Sequence, residues 1–519
     1  MNMTQGLKRS LQQTPHKAAV RYQGREWTFS ELGDRVARLA GALQGLGMRE
    51  GDLVAMLSLN SSRYLEYFMA VPWGGGVLNP CNIRWSVAEI VYSLDDSQST
   101  ILIVDDAFMG MADDIRRRSK TLKHVIYAGD RETPPGMVSY EDILEAARPV
   151  PDACLQGNRV AGVFYTGGTT GFPKGVILTH QNLWSSAISL LAEGLFPQDS
   201  VCLHAAPMFH LADLCTLLAQ FIRGGTHAVI PCFTPEAVVQ SIAEDKVTDT
   251  LLVPIMIQRL TDHLAANPET DSRSLCRILY GASPIPEAVL DRAMEMLPGI
   301  QFLQAYGMTE LAPLATINPP SSYTGEGRRR GKWRSAGRAG LCTEIRIVDA
   351  DGNEVSRGTV GEVVVRGPNV MHGYLNNPEQ TAAAIRDGWM HTGDGGYMDD
   401  EGYLYIVDRL KDMIISGGEN VYSAEVENAI ALHASVAMCA VIGIPSEQWG
   451  ESVHAIVVLK PDAGITAAEI IHHCRSLIAG YKCPRSLDFR PELPISGAGK
   501  ILKNELRKPF WEDRQKQVN

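Results

Sequence analysis

The chain has 519 residues, 45% hydrophobic and 21% charged, enough for more than one domain with a sizeable core. Its net charge of −11, from 48 Lys and Arg against 59 Asp and Glu, argues against nonspecific nucleic-acid binding. The ten cysteines form no CxxC pair and read as reduced thiols, not as a disulfide frame or a zinc site. The opening "MNMTQGLKRSLQQTPHKAAV" lacks the apolar core of a secretory leader, and no apolar run reaches the ~18 residues of a membrane span. A cytoplasmic protein without an integral membrane segment is expected.

Helix and strand patterns alternate along most of the chain. Thr28 and Glu31 in "TFSE" form a capping box, and Leu32, Val36, Leu39, Leu43 and Leu46 mark one face of the helix that follows. "DLVAML" (52–57) and "STILIVDD" (99–106) read as buried strands of a mostly parallel α/β arrangement. "LLVPIMI" (251–257) reads as a buried strand or a helix start. Past Pro319 the texture changes. A basic loop, "GEGRRRGKWR" (325–334), precedes the alternating strands "TEIRIVD", "GEVVVRG" and "GYLYIVD", which suggest a small antiparallel or barrel-like unit. A last unit carries a helix from about Ser423, the strands "VAMCAVIGI" and "SVHAIVVLK", and a capped helix ending at Gly480. The expected organisation is a multi-subdomain α/β N-terminal domain over 1–408, a hinge at 409–411 and a small mobile α+β domain over 412–519.

"YTGGTTGFPKGV" (165–176) gathers glycines, the hydroxyls of Thr166, Thr169 and Thr170, and the Lys174 cation into one turn. Glycines let backbone N–H groups approach phosphate oxygens without Cβ clashes, so the loop suits a polyphosphate. A plain hairpin is the alternative. It is not a Walker A loop: Pro173 precedes the lysine, Gly175 follows it, and "GVILTH" continues as a strand, not a helix.

The loop resembles the phosphate-loop signature of the adenylate-forming enzymes, and four further motifs match that family in its order. They are "YGMTE" (306–310), "HTGDGGY" (391–397), "DRLKDMIISGGENVYSAEVE" (408–427) and "GAGKILKNELR" (497–507). The resemblance implies that Thr166, Gly167, Gly168, Thr169, Thr170 and Lys174 hold phosphates of ATP. It also implies that Thr309 contacts the α-phosphate, Glu310 holds Mg²⁺, and Tyr306 stacks on adenine. Gln304, Ala305, Gly281 and Ser283 match segments lining the adenine and acyl positions, and simple tight packing explains small residues there equally well. Asp394 and Arg409 match the ribose contacts, a carboxylate being able to take both hydroxyls of a diol. Lys500 matches the lysine that bridges the attacking carboxylate and the α-phosphate. Gly417, Gly418 and Asn420 match the face used in the second step, Lys411 the hinge, and His210 in "PMFH" the mouth of the acyl pocket. The loop's "TGG" replaces a common serine pair, and Lys503 and Cys483 also depart from the usual pattern.

The implied reaction joins a carboxylic acid to coenzyme A with ATP, giving acyl-CoA, AMP and pyrophosphate through an acyl-adenylate. Acetate-specific relatives carry Trp at the position of Gly307, so glycine there suggests an open pocket. A medium- or long-chain fatty acid is expected first, with an aromatic or alicyclic acid, or loading of a separate carrier protein, as alternatives. Self-association as a homodimer stays open. The basic run Arg328, Arg329, Arg330, Lys332 and Arg334 reads as solvated, with a CoA-phosphate contact as the alternative. His472 and His473 read as helix surface and core, without a metal partner set.

Overall fold

The computed structural model describes residues 1–166, 173–410, 412–461, 463–496 and 499–511. These residues form four sheets. In the first, Leu53–Leu57, Val77–Pro80, Ile101–Val104 and His124–Tyr127 run parallel, and every residue of the second and third of these strands is buried. That is the expected signature of strands covered on both faces. The sheet turns antiparallel at a hairpin of β1 (Val160–Thr166) and β2 (Lys174–Thr179), and Gly373–Tyr374 pairs antiparallel with β2. The capping box at Thr28 and Glu31 is present, and Leu32, Val36, Leu39 and Leu43 face the core as their spacing requires.

The second sheet has nine strands. Val201–His204 leads through a six-residue loop, 205–210, into α1 (Leu211–Arg223), whose Leu214, Leu217, Leu218 and Phe221 are buried. β3 (Asp249–Leu252), β4 (Arg277–Gly281) and β5 (Gln301–Gly307) lie parallel and side by side. "LLVPIMI" holds both expected elements: β3 ends at Leu252, and a helix starts at Pro254, where a missing N–H costs nothing. The other side of this sheet is supplied by the start of the chain. Ala18–Tyr22 runs parallel to Thr226–Val229, with Val20 opposite His227.

The third sheet is antiparallel, as the alternation predicts. It contains Glu344–Val348, Gly361–Arg366, β6 (Trp389–Met398) and β7 (Leu404–Arg409). The basic run before it is not an open loop. It forms two short helical turns, Gly325–Arg329 and Lys332–Arg334. Arg328 and Arg334 flank the Trp333 ring at 4.4 and 4.9 Å, Lys332 is buried against Asp399 at 2.6 Å, Arg334 pairs with Glu287, and Arg328 and Arg330 pair with Asp291 and Glu401. These partners come from elsewhere in the chain and satisfy the charges locally, so the solvated reading is corrected to a paired one. The CoA-phosphate alternative finds four of the five cations already engaged.

One apolar core runs through the first three sheets, joining Met56, Leu279, Leu303, Val363 and Leu404. The fourth sheet has its own core, including Ile414, Val426, Val441, Val453 and Ile470. A large N-terminal and a small C-terminal domain result. The small domain holds α2 (Ser423–Ala431), the long strands Val436–Ser446 and Gly450–Leu459, and α3 (Lys503–Trp511). Its capped helix starts at Thr466 as expected but ends at Leu477, before Gly480, because Ile478 is already extended. Among the described residues no helix is long and apolar enough to cross a membrane.

Candidate active site

β1 and β2 bring Thr166 opposite Lys174 at the end of the hairpin. Gly167, Gly168, Thr169 and Thr170 lie outside the described residues, as does Lys411. The Lys174 ammonium sits 5.1 Å from the centre of the Tyr374 ring, within cation–π range. The Tyr374 phenol donates to Glu310 Oε1 at 2.9 Å. Burial and the Glu310 carboxylate push that phenol far above its ordinary range, so it stays a donor. Glu310 is 6% exposed in a short helical turn, Thr309–Leu311, that follows Met308 at the cap position. Sequence reasoning missed Tyr374. The available signal was "GYLNNPE": a glycine–tyrosine pair followed by Asn377, which caps the helix starting at Pro378.

A second cluster joins two sheets. The Tyr306 phenol at the end of β5 donates to Asp394 Oδ2 at 2.7 Å, and Arg409 Nε meets Asp394 Oδ1 at 2.7 Å. The β6–β7 register places Asp394 and Arg409 directly opposite one another. Burial and the Asp394 carboxylate hold the Tyr306 phenol well above its usual range. Beneath them Glu362 accepts from Gly393 N–H at 3.1 Å and binds His391 Nδ1 at 2.8 Å, fixing the turn that presents Asp394. Gly393 has φ +70°, a conformation glycine adopts without cost.

Gly281, Ala305 and Gln304 sit at the adjoining ends of β4 and β5, with Gly281 opposite Ala305. Gly281 is glycine because a Cβ there would lie 2.3 Å from the Ala305 carbonyl oxygen. Ala282 follows with φ +69°, a strained value for alanine, and delivers the half-buried Ser283. Gly307 requires a correction. A Cβ there would lie 1.9 Å from the Pro313 carbonyl oxygen, so backbone fills the direction a side chain would take. This glycine is set by the close return of the chain and gives no measure of substrate size.

His210 ends the 205–210 loop and caps α1, its ring 4.0 Å from that of Phe209. The loop is held from two sides by residues that sequence reasoning did not single out. Asn60 Nδ2 donates to the carbonyls of His204 and Ala206 at 3.3 and 2.8 Å, and Met208 N–H donates to Asn60 Oδ1 at 2.8 Å. His204 Nδ1 meets Asp213 Oδ2 and His204 Nε2 meets His227 Nδ1, both at 2.9 Å. His204, Asp213 and His227 are essentially inaccessible, and burial drives His227 far below its ordinary range, so it is neutral.

The loop carrying Lys500 closes onto the N-terminal domain. Arg84 donates to the Ile495 carbonyl at 3.0 Å, and Gly499 approaches so closely that a Cβ would lie 3.0 Å from Val253 Cγ2 just after β3. Gly417, Gly418 and Asn420 are not brought to this cleft. They are exposed on a hairpin of the small domain, with Gly417 N–H bonded to the Trp449 carbonyl at 2.8 Å.

An AMP-binding enzyme model matches residues 7–375, and an AMP-binding enzyme C-terminal domain model matches residues 425–500. The chain is 39% identical to a feruloyl-CoA synthase of Amycolatopsis sp, over 97% of this chain and 98% of that one. It is 33% identical to the fatty acid–[acyl-carrier-protein] ligase ScoC of Streptomyces coeruleorubidus, over 98% and 96%. The solved o-succinylbenzoate CoA synthetase MenE of Bacillus subtilis, in complex with the acyl-adenylate intermediate OSB-AMP, is similar with a TM-score of 0.85 at 32% identity, covering 99% of both chains.

Proposed function

The chain belongs to the AMP-binding enzyme family as an ATP-dependent, AMP-forming CoA ligase, and from that premise we propose that it activates an aromatic carboxylic acid. The observation that carries the substrate choice is its full-length likeness to a feruloyl-CoA synthase, joined by that to an o-succinylbenzoate ligase. The fatty-acid expectation gives way on the same ground, and the Gly307 argument for it is withdrawn by the Pro313 contact.

In this reading Asp394 and Arg409 take the ribose hydroxyls and Tyr306 flanks the adenine. Lys174 and Thr166, with Gly167, Gly168, Thr169 and Thr170, hold the outer phosphates, and Thr309 reaches the α-phosphate. Magnesium, when bound, supplies neutralising charge to the phosphates. The residues fit it: Glu310 is a buried carboxylate with one oxygen taken by Tyr374, and among the described residues no group of three His, Cys, Asp or Glu offers a cage. A metal held by one carboxylate, phosphates and water is the arrangement Mg²⁺ favours. Lys500 brings positive charge to the approach of two anions, where it is worth most in the transition state. The substrate carboxylate attacks the α-phosphorus and the bond to pyrophosphate breaks. Rotation of the small domain about Lys411 then withdraws Lys500 and presents Gly417, Gly418 and Asn420. The CoA thiolate attacks the acyl carbon and AMP leaves.

Pyrophosphate release tests this with ferulate, benzoate, o-succinylbenzoate and fatty acids of several lengths, each with and without CoA. Ferulate or another aryl acid is expected to give the highest kcat/KM, with aryl-CoA and AMP formed only when CoA is present. A decisive preference for a fatty acid, or adenylate formation without any CoA thioester, would overturn the proposal.

A further inference from the structure

The boundary between the two domains is bridged by a buried chain of hydrogen bonds around Ser423. Asp408 lies on β7, in the third sheet, one residue before Arg409. Ser423 opens α2 in the small domain. Ser423 N–H and Ser423 Oγ–H both donate to Asp408 Oδ2 at 2.6 Å. The Lys503 ammonium in turn donates to Ser423 Oγ at 2.6 Å and pairs with Glu427 at 2.6 Å. Asp408 Oδ1 accepts from Arg409 N–H at 2.8 Å. Lys503 follows Lys500 by three residues and begins α3. The chain therefore runs from the strand that carries Arg409 to the helix that follows Lys500, through a single serine.

We propose that Ser423 and Lys503 are positioning residues for adenylate formation. They fasten the small domain to Asp408 in the orientation that sets Lys500 over the nucleotide site, and the Asp408–Ser423 bonds must part before the thiol step. The inference rests on the two-step reading above. Both Asp408 bonds are charge-assisted and buried, so they are among the stronger ties available at a domain boundary. They span the residues, 409–411, about which the small domain turns in that reading.

Ser423 also allows an unusually clean test. It is the first residue of α2, the position where a helix accepts proline most readily. Tyr422 before it has φ −86° and ψ 118°, the extended conformation a residue preceding proline requires. Ser423→Pro thus removes both donors to Asp408 while respecting the local backbone. Ser423→Thr keeps both, and Ser423→Ala removes the hydroxyl alone.

The experiment is single-turnover rapid quench of the full-length enzyme with Mg·ATP and ferulate, then CoA added to preformed feruloyl-adenylate. Ser423→Pro is expected to slow adenylate formation about tenfold, the scale of a lost charge-assisted hydrogen bond, and to leave adenylate consumption at or above the wild-type rate. Ser423→Ala should give a smaller shift in the same direction, and Ser423→Thr the wild-type ratio of the two rates. Equal slowing of both steps, slowing of the thiol step alone, or no change in either would overturn the inference. If Ser423→Pro does not fold, the same outcomes are read from Ser423→Ala. A wild-type enzyme that forms no adenylate from ferulate but does so from a fatty acid fails the substrate reading and leaves this one to be judged with that acid.

Discussion

The Tyr306 phenol and the Asp394 carboxylate are bonded at 2.7 Å across the seam between the nine-stranded sheet and the antiparallel sheet. Asp394 keeps Arg409 as a second partner, so the phenol aims the carboxylate but does not alone define it. Tyr306→Phe should cost about 1 kcal/mol of nucleotide binding, roughly a fivefold rise in KM for ATP, with little change in KM for the acid. ATP and acid titrations check this. A rise confined to the acid would remove Tyr306 and Asp394 from the nucleotide side of the site.

Asn60 supplies two donors and one acceptor to the loop that ends at His210. Asn60→Asp keeps the shape but turns a carboxylate toward the carbonyls of His204 and Ala206. The expected result is a rise of about tenfold or more in KM for the acid at pH 8, with KM for ATP unchanged. Protonation restores one O–H donor, and two facing carbonyls push the introduced carboxyl upward, so the defect should shrink as pH falls toward 6. A defect independent of pH would mean that lost packing, not lost donation, is responsible.

Gly307→Ala separates two readings of that position. With the Pro313 carbonyl 1.9 Å from the added carbon, the substitution should destabilise the N-terminal domain by roughly 3 kcal/mol. Urea denaturation measures it. A fully stable variant that merely prefers smaller acids would show that the position faces open pocket.

His180 gives a pH dependence with a definite sign. Burial lowers its pKa from 6.5 to about 4, so the folded state keeps it neutral where the unfolded state takes up a proton. Its Nδ1 accepts from Met3 N–H, which also requires the neutral ring. Above pH 6.5 it leaves stability unchanged. As pH falls from 6.5 toward 4 the folded state loses up to about 3 kcal/mol. Urea midpoints at pH 7.5 and 5.0 should therefore converge for His180→Gln relative to wild type. Identical losses in the two proteins would exclude His180 as the source.

Short-range pattern made much of this legible in the sequence. The capping boxes, the buried strands, the hairpin at Thr166 and Lys174, and the antiparallel third sheet all follow from residues within a few positions of one another. What escaped was held by long-range partners. Asn60 meets His204 and Ala206 about 145 residues away, and Tyr374 meets Glu310 across 64. The basic run looked solvated because its acids, Glu287, Asp291, Asp399 and Glu401, sit outside it in the chain. Gly307 looked functional because the sequence cannot show the Pro313 backbone pressed against it.

The strand Ala18–Tyr22 has a consequence for how the molecule is made. Its parallel neighbour, Thr226–Val229, is synthesised some two hundred residues later. At about 5–20 residues per second it waits on the order of ten seconds or more for that neighbour. Until then its only available sheet partner is the adjacent antiparallel strand Arg25–Thr28, and closing so long a loop is slow. Pairing of this strand into the nine-stranded sheet is thus gated by translation itself.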